Sequence, residues 1–304
     1  MLFALGTPVI DYMIKCPTSQ IKAYDLEKGV SNFRSLGIIE RIISESEVVV
    51  NYPGDNARNI CEGLVSLGSP CIYCGCLGTD DEADYLAGLV NEYGIPNLFA
   101  RVDGHTGKIA TLISEDADRT FVVNMGVATT IGSLSDEAKQ KFDSSDYFYT
   151  TTITHFTEDS IAHLSSELLE KSKIANKKLV FALESSTLCK LKKKEILALI
   201  SRYEPLLFGN EQELNAIGGV TEVRKLIPFV VCKQGTNGAT IYDGEKAVKI
   251  NSIKTAVVDT TGAGDYFNAG VLHGLMEGKS IDECGKTGAQ LAAKCISLYG
   301  ARLR

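Results

Sequence analysis

The sequence is poor in the features that mark membrane, secreted and nucleic-acid-binding proteins. No apolar run is long enough to span a bilayer, and residues 1–14 lack the basic start and small-residue cleavage site of a secretory leader. Lys and Arg number 31 against 38 Asp and Glu, a net charge of −7, and no long basic cluster offers a surface to nucleic acid. We therefore predict a cytoplasmic protein that binds neither membrane nor nucleic acid.

Several catalytic motifs are also missing. The chain has no G-x-x-x-x-G-K-[ST] phosphate loop and no G-x-G-x-x-G after a predicted strand. The first absence argues against a P-loop kinase, and the second leaves a dinucleotide-binding site unsupported. The histidines are too scattered to indicate a metal triad or a Ser/His/Asp site; they are His105, His155, His163 and His273.

The nine cysteines do not indicate a disulfide framework, because a chain of 304 residues can bury a core without one. Cys71, Cys74 and Cys76 are spaced closely enough for a metal site, but no second Cys or His cluster lies at zinc-finger distance. We favour a buried strand with free thiols, and metal binding is the alternative.

Hydrophobic patterns of strands and helices alternate along most of the chain. Such alternation is typical of an α/β fold in which a doubly wound, mostly parallel sheet carries helices on both faces. The predicted strands cover residues 2–10, 71–77, 146–152, 178–183, 205–208, 229–233 and 250–258, and the clearest helices cover 57–67, 81–93 and about 158–176.

Two segments interrupt this alternation. Residues 12–52 form a long polar stretch of weak periodicity, and residues 106–123 contain two alternating strands, 108–114 and 120–123, around the polar turn 115–118. We expect both segments to project from the main sheet as a small β lid. Residues 1–11, 53–105 and 124–304 would then form one large α/β domain.

The segment 259–267, with the sequence DTTGAGDYF, joins the predicted strand 250–258 to a helical pattern. A glycine turn at that place leaves backbone N–H groups without partners, and the positive end of the helix dipole favours an anion. Asp265 would repel a bound phosphate, but it is suited to removing a proton from a hydroxyl. The alternative is structural: Thr261 caps the helix, while Gly262 and Gly264 permit the turn.

This nine-residue string resembles the carboxyl-terminal signature of the PfkB, or ribokinase-like, kinase family. The resemblance implies that Asp265 is the general base. It also implies that Gly262, Ala263 and Gly264 carry the N–H groups of an anion hole. The expected fold is a large domain that binds ATP, Mg²⁺ and a small-molecule acceptor, covered by a small β lid.

Near the amino terminus, two segments match the family's substrate-binding positions. Asp11 follows the first predicted strand; alone it is a turn residue, whereas the resemblance implies that it binds substrate hydroxyls. Gly54 and Asn59 are in register with the family's GG-x-x-x-N signature. Asp55 replaces the second glycine, and its carboxylate could bind another substrate hydroxyl, narrow the pocket or simply cap the helix.

Two segments further along the chain match nucleotide-binding motifs of the family. Asn210 and Glu213 have the spacing of a helix capping box, and also of the family's N-x-x-E motif, which implies a water-mediated Mg²⁺ contact by Glu213. Lys233, Gly235 and Gly238 lie in a segment similar to the family's T-x-G-x-x-G-A, with lysine at its first position. The resemblance implies nucleotide contacts for Asn210 and for these three residues.

Two weaker expectations concern ions. Some family members use a monovalent cation beside the anion hole, so Asp259 and Thr261 imply a K⁺ site. Arg119, at the predicted hairpin, either closes over phosphate or is a solvent-exposed charge.

The resemblance implies an ATP-dependent kinase that phosphorylates a primary hydroxyl. The insertion 12–52 and the threonines that end the strand 146–152 look closer to adenosine-kinase-like nucleoside kinases than to ribokinase. The alternatives are a sugar kinase of the ribose, fructose or ketodeoxygluconate type and, more remotely, a non-catalytic ligand-binding relative. The family includes both monomers and homodimers.

Overall fold

The computed structural model describes residues 1–116 and 118–303. These residues form strands β1 to β14 and helices α1 to α13. The strands are β1 Leu2–Leu5, β2 Val9–Lys15, β3 Ser31–Phe33, β4 Val48–Gly54, β5 Cys71–Leu77, β6 Asn97–Arg101, β7 Gly107–Ile113, β8 Arg119–Asn124, β9 Tyr147–Thr151, β10 Lys178–Ala182, β11 Leu206–Asn210, β12 Phe229–Lys233, β13 Ala239–Asp243 and β14 Lys246–Ile250. The helices are α1 Thr18–Ala23, α2 Leu36–Glu45, α3 Asn56–Ser66, α4 Asp81–Glu92, α5 Asp136–Asp143, α6 Thr152–His155, α7 Ser160–Ile174, α8 Ser186–Leu191, α9 Lys193–Tyr203, α10 Glu211–Ile217, α11 Val220–Val223, α12 Ala263–Met276 and α13 Ile281–Cys295.

A large sheet forms the centre of the molecule. Among the described residues its strand order is β14-β13-β12-β11-β10-β9-β1-β5-β6. The seven strands β12-β11-β10-β9-β1-β5-β6 pair in parallel, whereas β13 and β14 add an antiparallel edge. The predicted doubly wound, mostly parallel sheet is therefore confirmed.

Helices cover both faces of the large sheet, because successive side chains of a strand point to opposite faces. Leu2 and Ala4 belong to a core cluster that includes α3, α4, α12 and α13. Phe3 and Leu5 belong to a second cluster that includes α5, α7, α9 and α10. Continuous apolar strands such as β1 are typical of a sheet that is buried on both sides.

A second sheet lies beside the first, with strand order β3-β8-β7-β2-β4 among the described residues. Its antiparallel pair β7 and β8 is the predicted hairpin; Ala117 of the predicted turn lies outside the described residues. A separate apolar cluster packs α2 against this sheet through Ile39 and Ile42. The domain boundaries, and a lid motion of the second sheet, stay predictions.

The predicted strand 2–10 is wrong, because the chain leaves the large sheet after Leu5 and enters the second sheet at Val9. The Gly6 N–H still donates to the Cys74 carbonyl, but Pro8 has no N–H to continue the ladder. The uninterrupted apolar run concealed this break. As a result Asp11 lies within β2 of the second sheet, and not at the end of a strand of the large sheet.

The predicted strand 250–258 is also wrong. Strand β14 ends at Ile250 on the edge of the large sheet, and residues 251–258 form no strand. Their apolar members are exposed, Val257 at 62% and Val258 at 43%. The β-branched residues favoured a strand, but within residues 1–116 and 118–303 no neighbouring strand lies beyond this edge to pair with them. The next helix, α12, begins at Ala263 with Gly262, not Thr261, as its amino-terminal cap.

In the part of the chain that the structure describes, no helix combines the length and apolar character that a membrane crossing requires. Cys71, Cys74 and Cys76 lie in β5 as buried free thiols.

Candidate active site

Asp265 lies in the first turn of α12 and is almost fully buried. Its carboxylate accepts a hydrogen bond of 2.7 Å from the Asn59 side-chain amide, and the Asn56 amide lies 3.3 Å from both of its oxygens. Asn56 and Asn59 come from the first turns of α3, so two helix amino termini meet at this carboxylate. The positive ends of both helices stabilise its charge.

Opposing effects act on the pKa of Asp265. Burial raises the pKa above the ordinary value, while the charge of Lys233 and the bonds from Asn59 and Asn56 lower it. The net direction is upward. A carboxylate with a raised pKa and oriented oxygens is suited to accept a proton.

Glu184 is a residue of this site that the sequence interpretation missed. It follows β10, and its Oε2 accepts a 2.7 Å hydrogen bond from the same Asn56 amide that reaches Asp265. Its Oε1 is buried without a hydrogen-bond partner among the described residues, and its backbone has φ 51°, which is unusual for a non-glycine residue. Burial first, and then the charge of Asp265, hold the pKa of Glu184 well above its ordinary value.

A signal for Glu184 was present in the sequence. It lies just past the carboxyl end of a parallel strand, the edge at which α/β sheets bind ligands. The segment matched none of the motifs that guided the interpretation, and its proximity to Asp265 depends on the sheet order.

Lys233 supplies the positive charge of the site. It ends β12, beside Asn210 at the end of β11, and its Nζ lies 2.9 Å from the place where a side chain at Gly264 would begin. Burial alone would lower the pKa of Lys233, but the charges of Glu184, Glu213 and Asp265 outweigh it and raise the pKa. The ammonium is therefore charged and lies against the glycine turn.

The glycine turn itself has the conformation that its sequence predicts. Gly262 has φ 75°, in the left-handed region that favours glycine, and an added Cβ would lie 2.5 Å from the Ala301 Cβ. The N–H of Ala263 donates to Thr260, and that of Asp265 donates to Gly262. Only glycine can occupy this position without displacing the segment behind it.

Asn210 and Glu213 form the predicted capping box at the start of α10. The Glu213 N–H donates to the Asn210 side chain at 2.9 Å, and the Glu213 carboxylate accepts from the Asn210 N–H and side-chain amide, each at 2.8 Å. The box orients a buried carboxylate near Lys233 and Glu184. Among the described residues no three Asp, Glu, His or Cys side chains converge to hold a metal by themselves.

Gly235 and Gly238 flank a short turn after β12. Both have positive φ, 57° and 86°, and a Cβ at Gly238 would lie 1.9 Å from the Ile250 carbonyl oxygen. Gly238 is therefore required by a close backbone approach, whereas Gly235 faces open space and is exposed.

Asp11 is the polar centre of the second sheet. Its carboxylate accepts from the Thr111 hydroxyl at 2.7 Å and from the Tyr52 hydroxyl at 3.1 Å. Burial raises its pKa to about 6, although both hydroxyls oppose the rise. Because both partners are neutral hydroxyls, the Asp11 carboxylate forms no salt bridge within the described residues and can accept further hydrogen bonds.

Asp55 has a contact set that the sequence did not predict. With φ 116° it adopts a backbone conformation suited to glycine. Its carboxylate accepts from the Thr7 N–H at 3.1 Å and the Tyr73 hydroxyl at 2.8 Å, and burial raises its pKa to about 6. It thereby ties the crossover of residues 6–8 to the large sheet. Gly54, beside it, would bring a Cβ to 2.9 Å from the Val9 side chain.

Asp259 joins the second sheet to the loop before α12. This buried carboxylate pairs with Arg119 of β8 at 2.5 Å and accepts from the N–H groups of Thr261 at 2.8 Å and Gly300 at 2.9 Å. Arg119 also contacts the Thr260 hydroxyl at 3.4 Å. The hairpin arginine is thus an ion-pair partner that holds the second sheet to the loop before α12, and not a solvent-exposed charge.

Comparison with known proteins agrees with this geometry. The model of the pfkB family of carbohydrate kinases matches residues 19–303. A protein of Archaeoglobus fulgidus, named an uncharacterized sugar kinase, is 30% identical over an alignment of 260 positions, gaps included, which covers 79% of this chain and 96% of that protein. The adenosine kinase of Dictyostelium discoideum is 25% identical over an alignment of 335 positions, gaps included, which covers 99% of this chain and 95% of that protein.

The fold has close counterparts among solved structures. The adenosine kinase of Sinorhizobium meliloti superimposes with a TM-score of 0.89 at 22% identity, covering 99% of this chain and 95% of the other. From the family match and the full-length relatives, the chain belongs to the pfkB family of carbohydrate kinases and is a phosphotransferase that acts on an alcohol group.

Proposed function

We propose that the protein transfers the γ-phosphate of ATP to the primary hydroxyl of a nucleoside. The observation that carries the chemistry is the buried Asp265 carboxylate, which two asparagine amides orient at the start of α12. The nucleoside assignment is supported by relatives named adenosine kinase, which extend over essentially the whole chain.

In this mechanism Asp265 accepts the proton of the acceptor hydroxyl. The hydroxyl oxygen forms a bond to the γ-phosphorus, the bond from that phosphorus to the β,γ-bridging oxygen breaks, and ADP leaves. Asn59 keeps the carboxylate aligned through its 2.7 Å bond. The burial of Asp265 favours proton uptake, because desolvation destabilises its charged form.

Positive charge for the transferred group would come from Lys233 and the glycine turn. The N–H groups of Gly262 and Gly264 stand at the amino terminus of α12, where the helix dipole favours an anion. The Lys233 ammonium lies against Gly264. We assign to these groups the stabilisation of the negative charge that develops on the phosphoryl oxygens.

The family implies Mg²⁺ with ATP, and the residues present fit it. Mg²⁺ in nucleotide sites takes one or two carboxylates and fills its other positions with phosphate oxygens and water. Glu213 is held in place by its capping box, and Glu184 has an unpartnered buried oxygen; we assign the ion to these two residues. When bound, Mg²⁺ neutralises phosphate charge. Asn210, Gly235 and Gly238 would then contact the nucleotide.

Recognition of the acceptor is assigned to Asp11 with Gly54 and Asn59. Asp11 is fixed by Thr111 and Tyr52 and retains acceptor capacity for a hydroxyl pair of the ribose. The Asp55 carboxylate is already bonded to Thr7 and Tyr73. We therefore propose that Asp55 affects acceptor binding indirectly, because it fixes the position of the neighbouring Gly54.

A monovalent cation such as K⁺ beside Asp259 and Thr261 remains part of the proposal. Rates in K⁺, Na⁺ and cation-free buffer test it, and identical rates would remove it.

The deciding experiment measures ADP release from Mg·ATP with a panel of acceptors. We expect turnover with at least one of adenosine, cytidine, inosine and guanosine, and a 5′-phosphate product by ³¹P NMR. Turnover confined to ribose, fructose or ketodeoxygluconate would overturn the nucleoside assignment and keep the mechanism. If the protein binds these acceptors but forms no ADP from ATP with any of them, kinase activity at this site would be contradicted.

A further inference from the structure

Arg58 is the largest fully buried side chain of the described residues, and no step of the proposed mechanism uses it. It lies in α3, one residue before Asn59, with none of its side chain exposed. Burying a guanidinium is costly unless its charge and its donors are satisfied, so its contacts carry information.

The charge of Arg58 is balanced inside the protein. Its Nη2 lies 3.0 Å from Glu62 one turn further along α3, and its guanidinium stacks 4.5 Å from the centre of the Tyr93 ring. Glu62 in turn accepts from the Leu303 N–H at 3.0 Å and from the Tyr266 hydroxyl. These contacts balance the charge of Arg58, although its Nε and Nη2 have no hydrogen-bond partner among the described residues. They do not explain the direction of the third donor nitrogen.

That donor, Nη1, donates to the side-chain oxygen of Asn59 at 2.8 Å. The amide nitrogen of the same Asn59 donates to Asp265 at 2.7 Å. A carboxamide has an acceptor at one end and donors at the other. If Asn59 were turned over, its nitrogen would face the guanidinium and its oxygen would face the carboxylate, and both bonds would be lost.

Arg58 also contacts the segment behind the glycine turn. Nη1 donates to the Ala301 carbonyl, and the Ala301 side chain packs where a Cβ at Gly262 would clash. The neighbouring Gly300 N–H donates to Asp259. One guanidinium therefore fixes the amide that orients the base and the backbone that supports the anion-binding turn.

We infer that Arg58 is a positioning residue for phosphoryl transfer, which locks the Asn59 amide in the orientation that holds Asp265 ready to accept a proton. The inference rests on the proposed function, in which Asp265 is the base. Arg58 does not touch the reacting atoms in this arrangement; it acts through Asn59.

The test is the pH dependence of kcat and kcat/KM for Arg58→Lys, measured with the best acceptor. The Asn59 bond lowers the pKa of Asp265, so its loss should move the acidic limb of both profiles to higher pH by about one unit and reduce kcat about tenfold below that limb. In an Asn59→Ala background the same substitution should cause no further shift. An unshifted limb, or equal shifts in both backgrounds, would overturn the inference.

Two further variants separate positioning from folding. Glu62→Gln weakens the ion pair but leaves the Asn59 contact, so it should lower the melting temperature without moving the acidic limb. Arg58→Met with Glu62→Met removes both charges and keeps apolar volume in the core; the limb should still move, and a wild-type limb in this double variant would contradict the inference even if Arg58→Lys does not fold.

Failure of the inference can be told apart from failure of the proposed function. If wild-type protein turns over no acceptor, the proposed function fails. If wild type is active and Asp265→Asn is not, while the Arg58 variants keep the wild-type limb, only the role of Arg58 fails.

Discussion

The two sheets present different kinds of polar site. At the large sheet, Asp265 and Glu184 share an asparagine donor and Lys233 lies nearby, so this region brings acidic groups and a basic group together. At the second sheet, Asp11 is held by two neutral hydroxyls. Charge at close quarters suits the transfer of a phosphoryl group, whereas a carboxylate with neutral partners suits recognition of hydroxyls.

The difference suggests a division of labour between the sheets. Substitutions at the large sheet should lower kcat, because their groups act on the transferring phosphoryl group. Substitutions at the second sheet should raise the KM of the acceptor, because Asp11 binds ground state and transition state alike. The Arg119–Asp259 pair joins the second sheet to the loop before α12, and its loss should raise the KM of both substrates.

The largest effect is expected for Asp265→Asn. The substitution keeps the volume of the side chain but removes the base, so kcat should fall about 10³-fold with the fold retained. The matched control is Asp282→Asn in the first turn of α13, where the carboxylate forms an ion pair with the exposed Lys286. A kcat near that of the control would assign the base elsewhere.

A smaller loss is expected for Glu184→Gln. The amide keeps the bond with Asn56 possible but removes the charge assigned to Mg²⁺, so kcat should fall about tenfold or more and the Mg²⁺ concentration for half-maximal rate should rise. Glu204→Gln is the control, because Glu204 also has a left-handed backbone, φ 46°, but is exposed. An unchanged Mg²⁺ requirement would separate Glu184 from the metal.

Asp11→Asn should act mainly on the acceptor. We expect its KM to rise about 10- to 100-fold, the cost of one charged hydrogen bond, with kcat within a few fold of wild type. Asp25→Asn, an exposed position before β3, should change neither value. A loss confined to kcat would erase the proposed division between the sheets.

The ion pair between the second sheet and the loop before α12 is tested by Arg119→Gln. It removes a pair whose carboxylate is buried while the arginine is 26% exposed. We expect both KM values to rise about two- to tenfold, because the second sheet is held less firmly over the substrates. Arg101→Gln, which breaks an exposed pair with Asp84, should have no effect on either KM.

The smallest expected effect concerns stability. Burial raises the folded-state pKa of Asp55 to about 6, above the ordinary value of an aspartate, so its contribution to the free energy of unfolding is fully present at low pH and is lost as pH rises through about 6. Asp55→Asn should therefore destabilise the protein more at pH 4.5 than at pH 7, measured by urea unfolding. If Asp55→Asn lowers the free energy of unfolding by the same amount at pH 4.5 and pH 7, this account would be contradicted.

Much of the large sheet could be predicted from sequence. Cys71–Leu77 is apolar throughout, and Phe229–Lys233 is apolar up to its last residue; both lie between helical patterns, which indicates parallel strands. The strand predicted over 2–10 failed because periodicity does not show which sheet a strand joins. The strand predicted over 250–258 failed because β-branched residues favour a strand only where a partner exists.

The candidate site follows the same pattern: features set by local sequence were predictable, and contacts between distant residues were not. The glycine turn and the place of Asp265 in the first turn of α12 were predictable, because both depend on local sequence. The contacts of Glu184 and Arg58 were not predictable, since both depend on residues more than 100 positions apart. Glu184 reaches the site through Asn56, and Arg58 acts through Asn59 on Asp265. Asp55 was recognised as a departure, but only the fold shows that it binds Thr7 and Tyr73.

The most direct test is a single-turnover measurement in wild type and Asp265→Asn. The enzyme is in excess over radiolabelled ATP, and the acceptor is present at a saturating concentration. The account predicts that both proteins bind the two substrates with similar affinity by calorimetry, and that only wild type forms ADP and phosphorylated acceptor at an appreciable rate. Phosphoryl transfer by Asp265→Asn at a rate close to that of wild type would contradict the central claim that Asp265 activates the acceptor hydroxyl.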